Sequence, residues 1–420
     1  MRIMQIAKVM VMTVTLLGLF PGSAVAAVTS NDSNCANPDP TKNWYEGTWI
    51  CPDEATIPNN AEGDDIRYGK KLLTETYKHL AQLGVTPNYA VGNQLSCTNC
   101  HLEEGRAAYS GGWAVVYYKY GGGDEHVPAT KGSYSSRINQ YLSNTGRIQD
   151  CLQRSMNAQT SVLSPESREM RSMIAYMKWL STGVQWAAKG GPVTDWRQVK
   201  GQGFIPVPLM TEAANPANGQ VLYEEKCAAC HGSDGEGLWN PDTQTYIFPA
   251  VWGPRSFNSG AGMWRMLTGS RFLRGNMPYG WANPTDPTRQ LSVKETYDIM
   301  AYTVYSDRPV WWNFLNDWNC KPVGGRTCDR IVDGVAIGPD SIRVPSATAN
   351  LPDWMHKPPD GAYPVFYPRW NGTHYTHDTG TGTSQVFTEA QHKYGPWQDM
   401  LNLQKKITTD FTLCGRSPCP

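Results

Sequence analysis

Cys97-Thr98-Asn99-Cys100-His101 and Cys227-Ala228-Ala229-Cys230-His231 share one pattern, C-x-x-C-H. That spacing attaches c-type haem: two thiols on one turn of chain reach the two vinyl groups of a porphyrin, and the adjacent imidazole lies under the iron. A single copy would equally suit a redox C-x-x-C or half of a zinc site. Two copies in a chain with an export-type N-terminus point to two covalent haems. Cys97, Cys100, Cys227 and Cys230 are then the attachment points, and His101 and His231 the proximal ligands.

An iron with a proximal His needs a sixth ligand or an open position. After the second motif, Gly275-Asn276-Met277-Pro278 offers Met277, 46 residues past His231, with Met263 and Met266 as rivals. After the first motif, the stretch 147–157 offers Cys151, 50 residues past His101, and Met156. A thiolate is a strong donor that lowers the iron potential, which suits chemistry more than fast electron relay. Arg137, Arg147 and Arg154 nearby would favour the thiolate form of Cys151. Residue chemistry alone leaves Cys151 and Met156 both open.

Certain elements must position these groups. From Asp64, an apolar stripe through Ile66, Gly69, Leu72, Leu73, Tyr77, Leu80 and Leu83 predicts a helix before the first motif. Gly111-Gly112, Gly121 to Gly123 and Gly132 predict loops after it. A closing helix is expected after Ser164, with Pro165 in its first turn and Met170, Met173, Ile174, Met177 and Leu180 on its buried face. The plan then repeats. Asn218 to Tyr223 reads as a short helix before the second motif, a long loop carries Trp252, Phe257 and Trp264, and Ser292 with Glu295 forms a capping box for another closing helix. The expected fold is mainly α, with two tandem cytochrome c domains at 63–190 and 214–308. A Pro-containing linker at 191–213 joins them, and an irregular arm at 27–62 precedes them.

Residues 309–420 differ. They hold Trp311, Trp312, Trp318, Trp354, Trp370 and Trp397, many prolines, and His356, His374, His377 and His392. They read as an irregular, disulfide-pinned C-terminal extension wrapped over the rest.

The N-terminus carries Arg2 and Lys8, an apolar run from Val9 to Phe20, and Ala24-Val25-Ala26, the marks of a signal peptide at 1–26 cleaved near Ala26. The run is too short for a membrane span. The protein is expected in a periplasm. Of 420 residues, 37 are Lys or Arg and 37 Asp or Glu. Losing Arg2 and Lys8 leaves 35 basic against 37 acidic residues, so no basic field suggests nucleic acid. There are 11 cysteines. With four on haem and Cys151 set aside, six remain for an oxidising compartment, and proximity suggests Cys35–Cys51, Cys320–Cys328 and Cys414–Cys419.

The combination resembles the dihaem thiosulfate dehydrogenases, which interconvert thiosulfate and tetrathionate. The matching stretches are 95–102, 147–157, Trp252 through Met263, and Asn276-Met277-Pro278, within residues 64–308. The resemblance implies His101 and Cys151 on a catalytic first haem, and His231 and Met277 on a second haem that passes electrons to a soluble acceptor cytochrome. It also implies a substrate pocket at Arg137, Arg147 and Ser155. Two dianions repel strongly as water is excluded, and a pair of guanidinium groups would offset this; Cys151 would serve as both ligand and nucleophile. Some members of the family carry a Lys before the second methionine, where this chain has Asn276. Two rival functions fit the same residues: a non-catalytic dihaem electron carrier, and a related haem-thiolate sulfur-compound oxidase or transferase.

Overall fold

The computed structural model describes residues 45–81, 91–135, 138, 140–159 and 163–311, with short pieces at 330–332, 335–337, 369–370, 375–378, 384–387 and 394–396. The expected signal peptide, Cys35, Arg137, Cys320, Cys328, Cys414, Cys419, His356, His374 and His392 lie outside the described residues. His377 falls in a strand whose side chains are not described.

Helices dominate. They are α1 (Ala61–Thr74), α2 (Thr76–Leu80), α3 (Val116–Lys119), α4 (Asn144–Arg154), α5 (Arg168–Ser181), α6 (Pro216–Lys226), α7 (Ala228–His231), α8 (Met266–Asn276) and α9 (Val293–Val304). Two small hairpins accompany them: β1 (Ser133–Ser135) with β2 (Gln140–Leu142), and β3 (Leu238–Asn240) with β4 (Thr245–Phe248), both antiparallel.

Two helix crossings share one design. In the first, α1 packs on α5, and Leu72, Leu73, Met170, Met173 and Leu180 are almost wholly buried. The approach is close because Gly69 faces the Ser172 carbonyl; a Cβ there would collide with that oxygen. In the second, α6 packs on α9, and Gly219 faces the Asp298 carbonyl in the same way. The carboxylate of Asp298 is fully buried. It accepts from the Asn215 amide (2.8 Å) and Asn218 Nδ2 (2.8 Å) and pairs with Lys294 Nζ (3.0 Å), so the burial of its charge is compensated. Each crossing has its own apolar core, and Phe257 packs against both.

The helix starts follow side-chain capping. Asn60 caps α1, its side chain accepting from the Gly63 amide, so the helix starts at Ala61, three residues before the expected Asp64. The expected start of α5 after Ser164 is corrected to Arg168. Ser167, not Ser164, accepts from the Met170 amide, and residues 164–167 are spent in a turn. The Ser292–Glu295 capping box forms as expected. Helices α3, α4, α7 and α8 were not anticipated; α4 carries Cys151, and α8 ends at Asn276, just before Met277.

The arm is not free of the core. Tyr45 and Trp49 are buried, and Trp49 Nε1 donates to the Leu180 carbonyl (2.8 Å) at the end of α5. Cys51 is disulfide-bonded. In the C-terminal extension, the Tyr394 carbonyl accepts from the Ala214 amide (2.7 Å) and its ring meets Tyr305, which ties the extension to both ends of the α6–α9 pair. No helix among the described residues is long and apolar enough to cross a membrane.

Alanine is the better helix former by about 1 kcal/mol, yet Gly69→Ala and Gly219→Ala should each destabilise the protein. A methyl group forced against an opposing backbone carbonyl costs about 1–3 kcal/mol or more. Chemical denaturation checks this; an unchanged or raised midpoint would show that the crossings do not depend on these close contacts.

Candidate haem sites

The first motif forms a tight 3-10 turn at Cys97–Asn99, closed by a capping box between Ser96 and Asn99. The His101 amide donates to the Cys97 carbonyl (3.0 Å), which closes the turn between the first thiol and the imidazole. Thr76, where α1 meets α2, accepts from the Cys97 amide (3.0 Å) and its hydroxyl lies 3.4 Å from Cys97 Sγ. His101 Nδ1 bonds the Gly111 carbonyl (2.6 Å). A carbonyl can only accept, so Nδ1 carries the proton and Nε2 keeps its lone pair. Gly111 adopts φ +68°, and a Cβ there would press on Nδ1. Trp113 lies against the imidazole with ring centroids 5.1 Å apart. Burial pushes the His101 pKa down to about 4, and the Arg147 guanidinium acts in the same direction, so the ring stays neutral.

The second motif repeats this chemistry on different backbone. The His231 amide donates to the Cys227 carbonyl (2.9 Å), and Nδ1 bonds the Pro249 carbonyl (2.8 Å). Burial again lowers the imidazole pKa. Four residues past each histidine a positive-φ glycine, Gly105 or Gly235, backs onto a tryptophan ring, Trp113 or Trp252. Cys97, Cys100, Cys151, Cys227 and Cys230 are in no disulfide. Two thiols and one neutral imidazole with Nε2 available fit a c-type haem at each motif.

Above the first motif stands α4. Arg147, Cys151 and Ser155 recur every four residues, so one helix face carries all three. Cys151 lies within electrostatic reach of Cys97, Cys100 and Arg147. The Arg147 pKa is raised, first by the Cys151 thiolate and further by Asp150. Asp150, nearly buried, bridges Arg147 Nη1 (2.6 Å) and Arg154 Nε (2.7 Å). The two arginines differ: the Arg147 side chain is 35% exposed and that of Arg154 only 4%. Arg154 Nη1 reaches the Gly260 carbonyl (3.4 Å), and its guanidinium lies 4.4 Å from the Trp311 ring. Met156, the rival ligand, lies past the helix end as part of the apolar core, 3% exposed.

The stretch Ser256 to Gly260 holds the end of α4. Asn258 Nδ2 donates to the Gln153 carbonyl (2.9 Å) and to Asn157 Oδ1 (3.1 Å), and its amide donates to the Arg154 carbonyl (3.2 Å). Asn93 Nδ2 bridges the carbonyls of Ser155 (2.8 Å) and Ser256 (3.1 Å). These partners, with Asp150, Thr76 and the Gly111 and Pro249 carbonyls, were missed by sequence reasoning. Only Asp150 left a visible signal, three residues after one arginine and four before another.

Met277 follows α8 directly, its amide bonded to the Leu273 carbonyl (2.9 Å). It is the residue after a helix, not part of a free loop. Its rival Met266 is fully buried in the second core, and Met263 is half-buried in a 3-10 turn. Asn276, at the position where some relatives of the resembled family carry Lys, is buried. Its Nδ2 donates to the Phe272 carbonyl (2.9 Å) and across to the Tyr109 carbonyl (3.1 Å), two residues before Gly111.

Comparison with known proteins follows this geometry. The cytochrome c family model matches residues 216–305. A thiosulfate dehydrogenase of Psychrobacter arcticus is 37% identical over 267 residues, 64% of this chain and 70% of that protein. Thiosulfate dehydrogenases of Thiomonas intermedia and Stutzerimonas stutzeri are 32% and 33% identical, over 71% and 70% of this chain and 84% and 85% of theirs. Among solved structures, the thiosulfate dehydrogenase TsdBA of Marichromatium purpuratum superposes with a TM-score of 0.50 at 30% identity. It covers 62% of this chain, which spans about half (49%) of that longer one.

Asn258→Ala removes two side-chain donors to α4 and the acceptor for the Gly260 amide. Leaving buried backbone groups unmatched should cost about 1–3 kcal/mol. Amide hydrogen exchange should quicken across 150–159 while α6 and α9 stay protected. Uniform quickening, or none, would place the hold on α4 elsewhere.

Proposed function

The chain belongs to the thiosulfate dehydrogenase family, and from that premise we propose that it couples two thiosulfate dianions to one tetrathionate dianion, releasing two electrons, at a haem held by His101 and Cys151. Covalently bound c-type haem follows from the cytochrome c match; that there are two, on tandem cytochrome c domains around the two helix crossings, is part of the proposal. Bound haem supplies the one-electron acceptor. The rest is the work of side chains.

The observation that carries the reading is the single face of α4 bearing Arg147, Cys151 and Ser155, with Cys151 next to the first attachment turn. Arg147 is about one-third exposed and so open to an anion, while Asp150 fixes its guanidinium from behind. A fixed fork of donors can hold a thiosulfate oxygen pair and offset the repulsion between two dianions at contact distance. Asp150 cancels one of the two arginine charges it touches, so the trio Arg147–Asp150–Arg154 keeps one net positive charge, beside the Cys151 thiolate. Ser155 stands one turn beyond Cys151 as a hydroxyl donor to the second anion; Arg137, outside the described residues, is a further candidate for substrate binding by resemblance alone.

Met277 and His231 would hold the second haem, which would supply an electron exit toward a soluble acceptor cytochrome. Neutral His101 and His231 need lose no proton to bind iron, which supports ligation across the ordinary pH range. The N-terminal segment directs export to the periplasm, where the C-terminal extension and the remaining disulfides form.

The test is thiosulfate-dependent ferricyanide reduction by the purified holoprotein. Arg147→Ala should cut turnover by about tenfold or more, about 1.4 kcal/mol of transition-state stabilisation. Arg147→Lys, which keeps charge but loses the fork, should restore only part. Electron transfer from a small artificial reductant should stay near wild type in both. In Cys151→Ala the thiolate-type low-spin signal in electron paramagnetic resonance should vanish while the second haem's signal remains. Normal thiosulfate turnover in these variants would move the substrate site away from α4, and a wild type that never oxidises thiosulfate would favour an electron carrier over an enzyme.

A further inference from the structure

Arg308 follows the C-terminus of α9 and is bracketed by backbone bonds. The Asp307 carbonyl accepts from the Gly253 amide (2.7 Å), and the Pro309 carbonyl from the Ser259 amide (3.0 Å). The chain on both sides of Arg308 is thus pinned to the loop 253–259. Its guanidinium lies 4.5 Å from the ring centre of Phe257, the residue that packs against both hydrophobic cores. Arg308 therefore stands at the seam between the two motif-bearing halves.

Its hydrogen bonding is incomplete. Nη2 donates to the Thr303 carbonyl (2.8 Å), but Nε and Nη1 are sealed from solvent and meet no acceptor among the described residues. Burial alone pushes the guanidinium pKa down to about 9, with no carboxylate to oppose the shift. Arg154 and Arg106, both buried, are treated differently: Arg154 holds Asp150, and Arg106 holds Glu104 and Glu54. Cationic donors sealed from solvent without an acceptor are unfavourable, and such donors persist where an anion completes them.

We propose that a propionate carboxylate of a covalently bound haem completes Arg308, making it the haem-carboxylate anchor at the seam. The inference rests on the reading that both C-x-x-C-H motifs carry haem. Thioether bonds hold a haem by its vinyl edge, and the propionates extend from another part of the ring into chain remote from the cysteines. Arg308 is remote in sequence from all four attachment cysteines and lies between the two halves. A permanent cofactor suits the site better than a substrate. A covalently held carboxylate is always present, whereas a substrate that leaves would strand the buried charge at every turnover.

The test uses full-length holoprotein, after haemochrome titration and intact mass have counted its haems. Fewer than two haems sinks the two-haem reading; two haems with none of the responses below sinks the role of Arg308 alone. Spectroelectrochemical titration across pH compares wild type with Arg308→Gln and Arg308→Lys. Loss of the cation beside a propionate favours the more positive ferric state, so Arg308→Gln should lower the midpoint potential of one haem. It should also raise the propionate pKa and so move the pH-dependent part of that potential to higher pH. Arg308→Lys should recover most of the potential. The haem that responds is the one whose propionate is anchored. If Arg308→Gln does not accumulate as holoprotein, resonance Raman of wild type against Arg308→Lys decides, since altered donors should shift a haem propionate bending band. Unchanged potentials and pH dependence, or an unchanged Raman band in that second comparison, would overturn the proposal. A change confined to the thiosulfate KM would also overturn it, and would assign Arg308 to substrate instead.

Discussion

The hydrogen bond from an imidazole Nδ1 to a backbone carbonyl sets the terms for both metal sites. It fixes the tautomer, aims Nε2, and holds a neutral ring in a place where burial already disfavours the charged form. At His101 the accepting carbonyl belongs to Gly111, a residue at φ +68° that could not carry a side chain without pressing on the ring. That carbonyl is itself held by others. The Gly111 amide donates to Gly203 (2.8 Å), the Tyr109 amide to Gly201 (2.6 Å), and the Tyr109 carbonyl accepts from Asn276. The aim of the first histidine thus depends on the linker and on the helix that ends just before Met277. The link from the His101 imidazole runs through the Gly111 and Tyr109 backbone to the Asn276 side chain, next to Met277.

Charge in the interior is handled by sharing. Asp150 serves two arginines, and Asp298 serves an amide, an asparagine and a lysine. Buried ion pairs of this kind contribute little net stability but hold geometry, because breaking one leaves an uncompensated charge. The division between Arg147 and Arg154 follows. One shared carboxylate leaves Arg154 committed to the seam, through Gly260 and Trp311, and leaves Arg147 facing outward beside Cys151. The Ser256 to Gly260 stretch belongs by sequence to the second half, yet its bonds position the helix of the first. A rare sequence pattern far from Cys151 is thereby explained as support for it.

The two C-x-x-C-H turns, each with its histidine, and the Ser292 capping box were legible from sequence because each is complete within a few residues. Local spacing places two thiols and an imidazole on one turn, and a serine three residues before a glutamate caps a helix whatever surrounds it. The glycines of the two crossings were visible only as gaps in apolar stripes. Helix α4 was not legible. Its segment 144–154 has only Ile148 and Leu152 as strongly apolar residues, and its polar members are held by partners more than a hundred positions away, Asn258 and Gly260. The start of α5 was expected after Ser164, and only the path of the chain moved its cap to Ser167.

Sequence by itself determined what could bind: two C-x-x-C-H turns, one further cysteine, Cys151, and methionines at suitable distance. Tertiary structure decided which of those groups meet. It buried Met156 and Met266 in apolar cores, set Cys151 and Arg147 together beside the first motif, and left Arg308 at the seam with donors unmatched among the described residues. The reason is physical. Covalent spacing and backbone hydrogen bonding act over a few residues and are written in order along the chain. Burial, charge pairing and close packing depend on segments that meet only once the chain has folded.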